Sequence, residues 1–238
     1  MDHERHLFAL RHEGEALAAA ARHGLDRRVP SCPDWDVAAL VAHAGRAYRW
    51  VTHIVDTHAA DEVRLDDMPA PPADGVLEWY EDSLATLVET ITNETPDTPV
   101  WNWSEQDMTV AFWSRRMANE TAVHRWDAQL AYGMEQPIEP DLAADGVDEL
   151  LVSFLSHGLF KRPVDGRHAT FLVQASDTGD AWYGTLLPDS ADVRRGTGNT
   201  DADATLRGTA SDLLLALWGR DVRVDATGDE SVVALLLE

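Results

Sequence analysis

One pattern recurs four times in the first 132 residues: a run of about 20 residues, apolar side chains three or four apart, then a break. The first run covers 2–23, with Leu7, Leu10, Leu17 and Ala21 in register, and Pro30 and Pro33 interrupt the chain after it. The second covers about 36–59, with Leu40, Val41, Ala44, Ala47 and Val51 on one face and Asp34 or Asp36 placed to cap it. Residues 60–74 are polar and rich in Pro, Asp and Ala, so a loop is expected there. The third run, 75–92, aligns Leu77, Tyr80, Leu84 and Leu87. An irregular stretch with Pro96, Pro99, Trp101 and Trp103 leads to the fourth, 111–132, which Gly133 is suited to end. Four long amphipathic helices predict a four-helix bundle, an architecture that builds metal sites from inward-facing side chains.

The pattern changes near residue 137, where Pro137 and Pro140 bracket a linker. A fifth helix is expected over 141–159, carrying Leu150, Leu151, Phe154 and Leu155. Short alternating runs follow at 170–175, 181–187, 192–195 and 204–207, separated by turn residues, and these read as strands. A short helix over 211–220 with Ser211 or Thr209 as its cap, a brief strand at Val222–Val224 and a last helix from about Asp229 complete the chain. The fold class is therefore α+β in two domains, a helical one over 1–136 and a small α+β one over 141–238. Seven of the nine Trp lie before residue 127, so most of the large aromatic surface belongs to the helical half.

Composition narrows the function. The net charge is −23, from 42 acidic and 19 basic residues, and no basic stripe is present to meet a phosphate backbone, so nucleic acid is not an expected partner. No apolar run reaches the roughly 18–20 residues that span a bilayer, and the Met-Asp-His-Glu-Arg-His start lacks signal-peptide character. A cytoplasmic protein with no membrane partner is expected. Only Lys161 among the basic residues is a lysine. The single cysteine, Cys32, excludes an internal disulfide and a cysteine-based zinc knuckle. It precedes a helix, which can lower a thiol pKa, but a small residue tucked under a turn is the simpler expectation.

The fourth helix carries Asn119, Glu120, His124 and Asp127 near one another on its wheel. Side chains four apart share a helical face. Such a polar stripe is either the solvated side of the helix or a site, and charge on a helix ordinarily marks solvent. On the second helix His43 sits among Leu40, Val41, Ala44 and Ala47, where a hydrogen-bonded core histidine is the plainer reading. If the three met, two imidazoles and a carboxylate would suit zinc with an open fourth position, or non-haem iron. Asp127, one turn beyond His124, could orient a ligand or form an exposed ion pair.

Three segments in order resemble the mycothiol-dependent maleylpyruvate isomerase family: Pro30–His43, Asn119–Asp127, and Ala202–Arg220 with Gly228-Asp229 after it. The resemblance implies a DinB-like metal-binding bundle followed by a domain similar to sterol carrier proteins. It implies that His43, Glu120 and His124 hold a divalent metal, expected to be zinc. It implies mycothiol as co-substrate, bound in the cleft between the domains and activated as a zinc-bound thiolate. Arg220, at the end of Trp218-Gly219-Arg220, would be the catalytic residue that holds a substrate carboxylate. The expected activity is cis–trans isomerisation of a small electrophile. Mycothiol S-transfer, zinc-dependent hydrolysis and non-catalytic ligand binding are the alternatives, and a monomer or homodimer is expected.

Overall fold

The computed structural model describes residues 1–104, 106–156, 168–188, 190–196 and 201–237. The chain divides into two compact units, Met1–Gln136 and Pro137–Glu238.

The first unit is a bundle of four helices: α1 (His3–Ala21), α2 (Val37–Asp56), α3 (Val76–Asn93) and α4 (Val110–Leu130). The Asp2 carboxylate caps α1 by accepting from Arg5 N–H, and Asp36, not Asp34, caps α2 by accepting from Ala39 N–H. Gly75 begins α3 from a left-handed conformation (φ 73°) that favours glycine. α1 packs along α4, and α2 along α3. Leu10, Leu17, Leu40, Val51, Ile54, Leu87 and Ile91 are fully enclosed between them. Burying each such side chain stabilises the fold by about 1.5–3 kcal/mol. The α2–α3 approach is close: a Cβ on Gly45 would lie 2.4 Å from Trp79 Cζ3.

α4 departs from the amphipathic pattern. Most of its residues are buried, polar ones included. A helix enclosed on nearly all sides has no solvated stripe, so its polar groups must be paired internally. The Tyr48 hydroxyl does this for Thr121, 2.7 Å away, and lies 3.4 Å from the Tyr80 hydroxyl, which in turn donates to Gly14 O. The 60–74 loop contains one short 3₁₀ turn, Leu65–Asp67. Trp50 Nε1 and Arg46 Nη2 on α2 anchor that loop through the carbonyls of Val63 and Leu65.

The second unit opens with α5 (Pro140–Asp148), which continues as a π-helical segment, Glu149–Leu155. The expected fifth helix is thus α-helical only in its first part, and its last positions, 157–159, lie outside the described residues. The wider π turns still bury Leu150, Leu151, Phe154 and Leu155. Strands β1 (Ala169–Ala175), β2 (Ala181–Leu186), β3 (Ala191–Arg195), β4 (Ala204–Gly208) and β5 (Asp225–Gly228) form one sheet in the order β3-β2-β1-β4-β5. β1 and β4 run parallel and every other pair is antiparallel. α6 (Ala210–Leu217), capped by Thr209, and α7 (Glu230–Leu237) complete the unit. The strand expected at Val222–Val224 falls instead at Asp225–Gly228. Its ladder begins at Asp225 opposite Arg207, and the valines that suggested a strand precede it, Val224 packing beside Gly208. On an exposed edge, backbone pairing and not apolar alternation defines the strand. Among the described residues no helix is long and apolar enough to cross a membrane.

Candidate metal centre

Two helices carry the site. α2 presents His43 two turns after its Asp36 cap, and α4 presents Glu120 and His124 from its middle. The three residues meet: one ligand atom from each lies within 4.8 Å of the other two. Glu120 Oε1 is the hub, 3.3 Å from His43 Nε2 and 3.1 Å from His124 Nε2. The imidazoles meet edge to face with centroids 5.1 Å apart. The solvated-stripe reading of the fourth helix is overturned, because His124 is buried and Glu120 only partly open. His43 is the most open of the three, its side chain 34% exposed.

Two of the three groups are held from behind. His124 Nδ1 lies 2.9 Å from Asp127 Oδ2, and Asp127 is fully buried on the same helix. The other Asp127 oxygen accepts a 2.6 Å hydrogen bond from Ser31 Oγ, in the loop before α2. A carboxylate at Nδ1 places the proton there and leaves Nε2 as the lone-pair donor when the ring is neutral. Arg116 Nη2 donates to Glu120 Oε2, and that guanidinium is itself buried. Trp35 covers the histidines, its ring centroid 4.8 Å from His43 and 6.2 Å from His124.

Electrostatics follow from these contacts. Burial alone would raise the Glu120 pKa. The Arg116 charge, then the charge and hydrogen bond of His124 and the bond from His43, overcome that effect and hold the carboxyl well below its ordinary range. Burial would likewise lower His124, but the Glu120 charge and the hydrogen bond to Asp127 lead the effects that push it up to about 9. In the metal-free protein His124 is therefore protonated at neutral pH. A divalent ion would take the place of that proton, since two imidazole nitrogens and one carboxylate oxygen already face one another and form a donor set that suits it.

Arg220 belongs to the second unit, just after α6. Its Nη1 donates to Trp218 O at 2.7 Å, folding the Trp-Gly-Arg turn back on itself. Cys32 is half-buried in the loop between Ser31 and Trp35. Arg116 and Ser31 were not legible as site residues. Arg116 had a usable signal, four residues before Glu120 on one helix, whereas Ser31 reaches Asp127 across 96 residues of sequence.

Comparison with known proteins sets this centre in context. Residues 7–129 match the family described as "Mycothiol maleylpyruvate isomerase N-terminal domain", and residues 141–235 match "MDMPI C-terminal domain". The solved structure of the mycothiol-dependent maleylpyruvate isomerase superposes with a TM-score of 0.68 at 12% identity, covering 95% of this chain and 93% of that one. A histidine-to-alanine mutant of the same enzyme superposes with a TM-score of 0.66 at the same identity and coverage. At that identity the likeness shows the shared fold. No curated protein matches the sequence.

Proposed function

The chain belongs to the mycothiol maleylpyruvate isomerase family, and on that premise we propose that it is a mycothiol-using, zinc-dependent enzyme acting on a small electrophile in the manner of a maleylpyruvate isomerase. The observation that carries the reading is the convergence of His43, Glu120 and His124 on one point within the family's N-terminal domain. A bound divalent ion would supply one chemical effect, lowering the pKa of an approaching thiol so that it reacts as thiolate at neutral pH.

The residues of the chain do the rest. His43, Glu120 and His124 would hold the ion and leave a position open, as catalytic zinc sites do. Asp127 keeps the His124 proton on Nδ1. Trp35 packs over the two imidazoles. Arg220 is proposed to hold the carboxylate of the electrophile, an assignment that rests on the Trp218-Gly219-Arg220 motif. In isomerisation the thiolate sulfur would add to an activated C=C bond, the resulting single bond would rotate, and the C–S bond would break to return the thiolate. Transfer of the thiol to an electrophile would use the same residues but retain the C–S bond.

Metal analysis and thiol dependence test the reading together. Purified protein should hold about one equivalent of zinc, and turnover of maleylpyruvate or a related electrophile should require added mycothiol. Turnover that ignores the thiol would refute thiol activation, and full activity without stoichiometric metal would refute the metal centre.

A further inference from the structure

α2 and α4 pass the metal centre in opposite directions. His43 meets Glu120, and further along α2 Trp50 packs edge to face on Trp113, which lies earlier on α4, with ring centroids 5.1 Å apart. Between these two levels each helix carries an arginine, Arg46 on α2 and Arg116 on α4. Two guanidinium groups thus stand on the same side of the centre, about one helical turn from it. Arg116 donates to Glu120 and its side chain is 7% exposed. Arg46 is more open, at 30%, and most of its donors are unused. A guanidinium offers five N–H donors. Here Nη2 donates to Leu65 O at 3.1 Å and lies 3.5 Å from Asp66 Oδ1, while Nε is enclosed without a hydrogen-bond partner. Long helical side chains lean back over the preceding turn, which here is the turn of His43.

We propose that Arg46 is a substrate-binding residue that holds a carboxylate of the electrophile beside the metal centre, a different carboxylate from the one assigned to Arg220. The proposal rests on the function proposed above. With a net charge of −23 the chain repels anions at long range, so an anionic substrate needs cations at the site itself. The Leu65 carbonyl holds the guanidinium in place, and a planar fork with unused N–H groups matches the geometry of a carboxylate. Asp66 is a built-in competitor. Its side chain is 77% exposed and its ion pair with Arg46 is loose, so an incoming carboxylate can displace it.

Maleate, a small unsaturated dicarboxylate, is the probe, and its neutral diamide is the control. Binding would be measured by calorimetry on native protein, Arg46→Gln, Asp66→Asn and Trp50→Phe, each supplied with zinc and checked for zinc content and circular dichroism. Arg46→Gln should weaken maleate about tenfold or more, with zinc content unchanged and the diamide unaffected. Asp66→Asn removes the competitor and should tighten maleate. Trp50→Phe removes the neighbouring loop anchor at Val63 O but no charge, and should leave maleate affinity native. Arg46→Met replaces the glutamine variant if that one fails to fold. The inference is overturned if native protein binds maleate no better than the diamide, or if Asp66→Asn fails to tighten it. It is also overturned if Trp50→Phe loses as much affinity as Arg46→Gln, which would make Arg46 a loop anchor alone. Zinc uptake with maleate binding indifferent to Arg46 refutes the role of Arg46 and spares the metal centre. Maleate binding that depends on Arg46 in protein that takes up no zinc refutes the metal centre and leaves the anion site standing.

Discussion

Replacing Asp127 with asparagine isolates what the buried carboxylate does for His124. The substitution keeps the volume, so no cavity forms, but it removes a charge that sits 2.9 Å from Nδ1 and accepts 2.6 Å from Ser31 Oγ. Two effects on metal binding then oppose each other. Loss of the carboxylate loosens the ring and weakens its donor nitrogen, which typically costs 10–100-fold, or about 1.4–2.7 kcal/mol. The same loss removes one of the causes that push the His124 pKa to about 9, so below that pH fewer protons compete with the metal. The net defect should therefore grow with pH, reaching its full 10–100-fold only above about pH 9, where native His124 is already neutral. Zinc affinity measured by chelator competition from pH 6.5 to about a unit above 9 checks this. Native affinity at the alkaline end, or a defect that shrinks as pH rises, would refute the argument.

Other outcomes follow from the same contacts. His43→Ala and His124→Ala should each abolish stoichiometric metal while the far-ultraviolet circular dichroism stays native, because each removes one of the three proposed ligands; metal analysis of the folded variants decides it. The metal-free protein should lose stability as pH rises. His124 has a folded pKa raised from 6.5 to about 9, so its contribution is complete below pH 6.5 and is lost on rising through about 9. Urea midpoints should fall over that window in native protein and not in His124→Ala. Gly45→Ala should destabilise the bundle by about 1–3 kcal/mol, since the new methyl would sit 2.4 Å from Trp79 Cζ3. A denaturation midpoint equal to native would show that α2 and α3 separate without cost.

By itself the sequence determined the helical first half, the strand-bearing second half and the residue types of the candidate metal centre. Apolar spacing sets which face a helix buries, and that local rule placed α1 to α3 within a few residues of their bounds. It misled at Val222–Val224, where side chains alternate but the ladder starts three residues after Val222. It also misled on α4, whose Glu120 and His124 read as a solvated stripe. A wheel shows which side chains share a face, but the helices packed around it decide whether that face meets water. Only the tertiary structure decided that α4 is enclosed, that His43 crosses from α2 to Glu120, and that Ser31 and Asp127 bond across 96 residues. Arg116 shows the limit most clearly. Its spacing from Glu120 was readable, but which oxygen it takes depends on where two histidines on different helices place the other one.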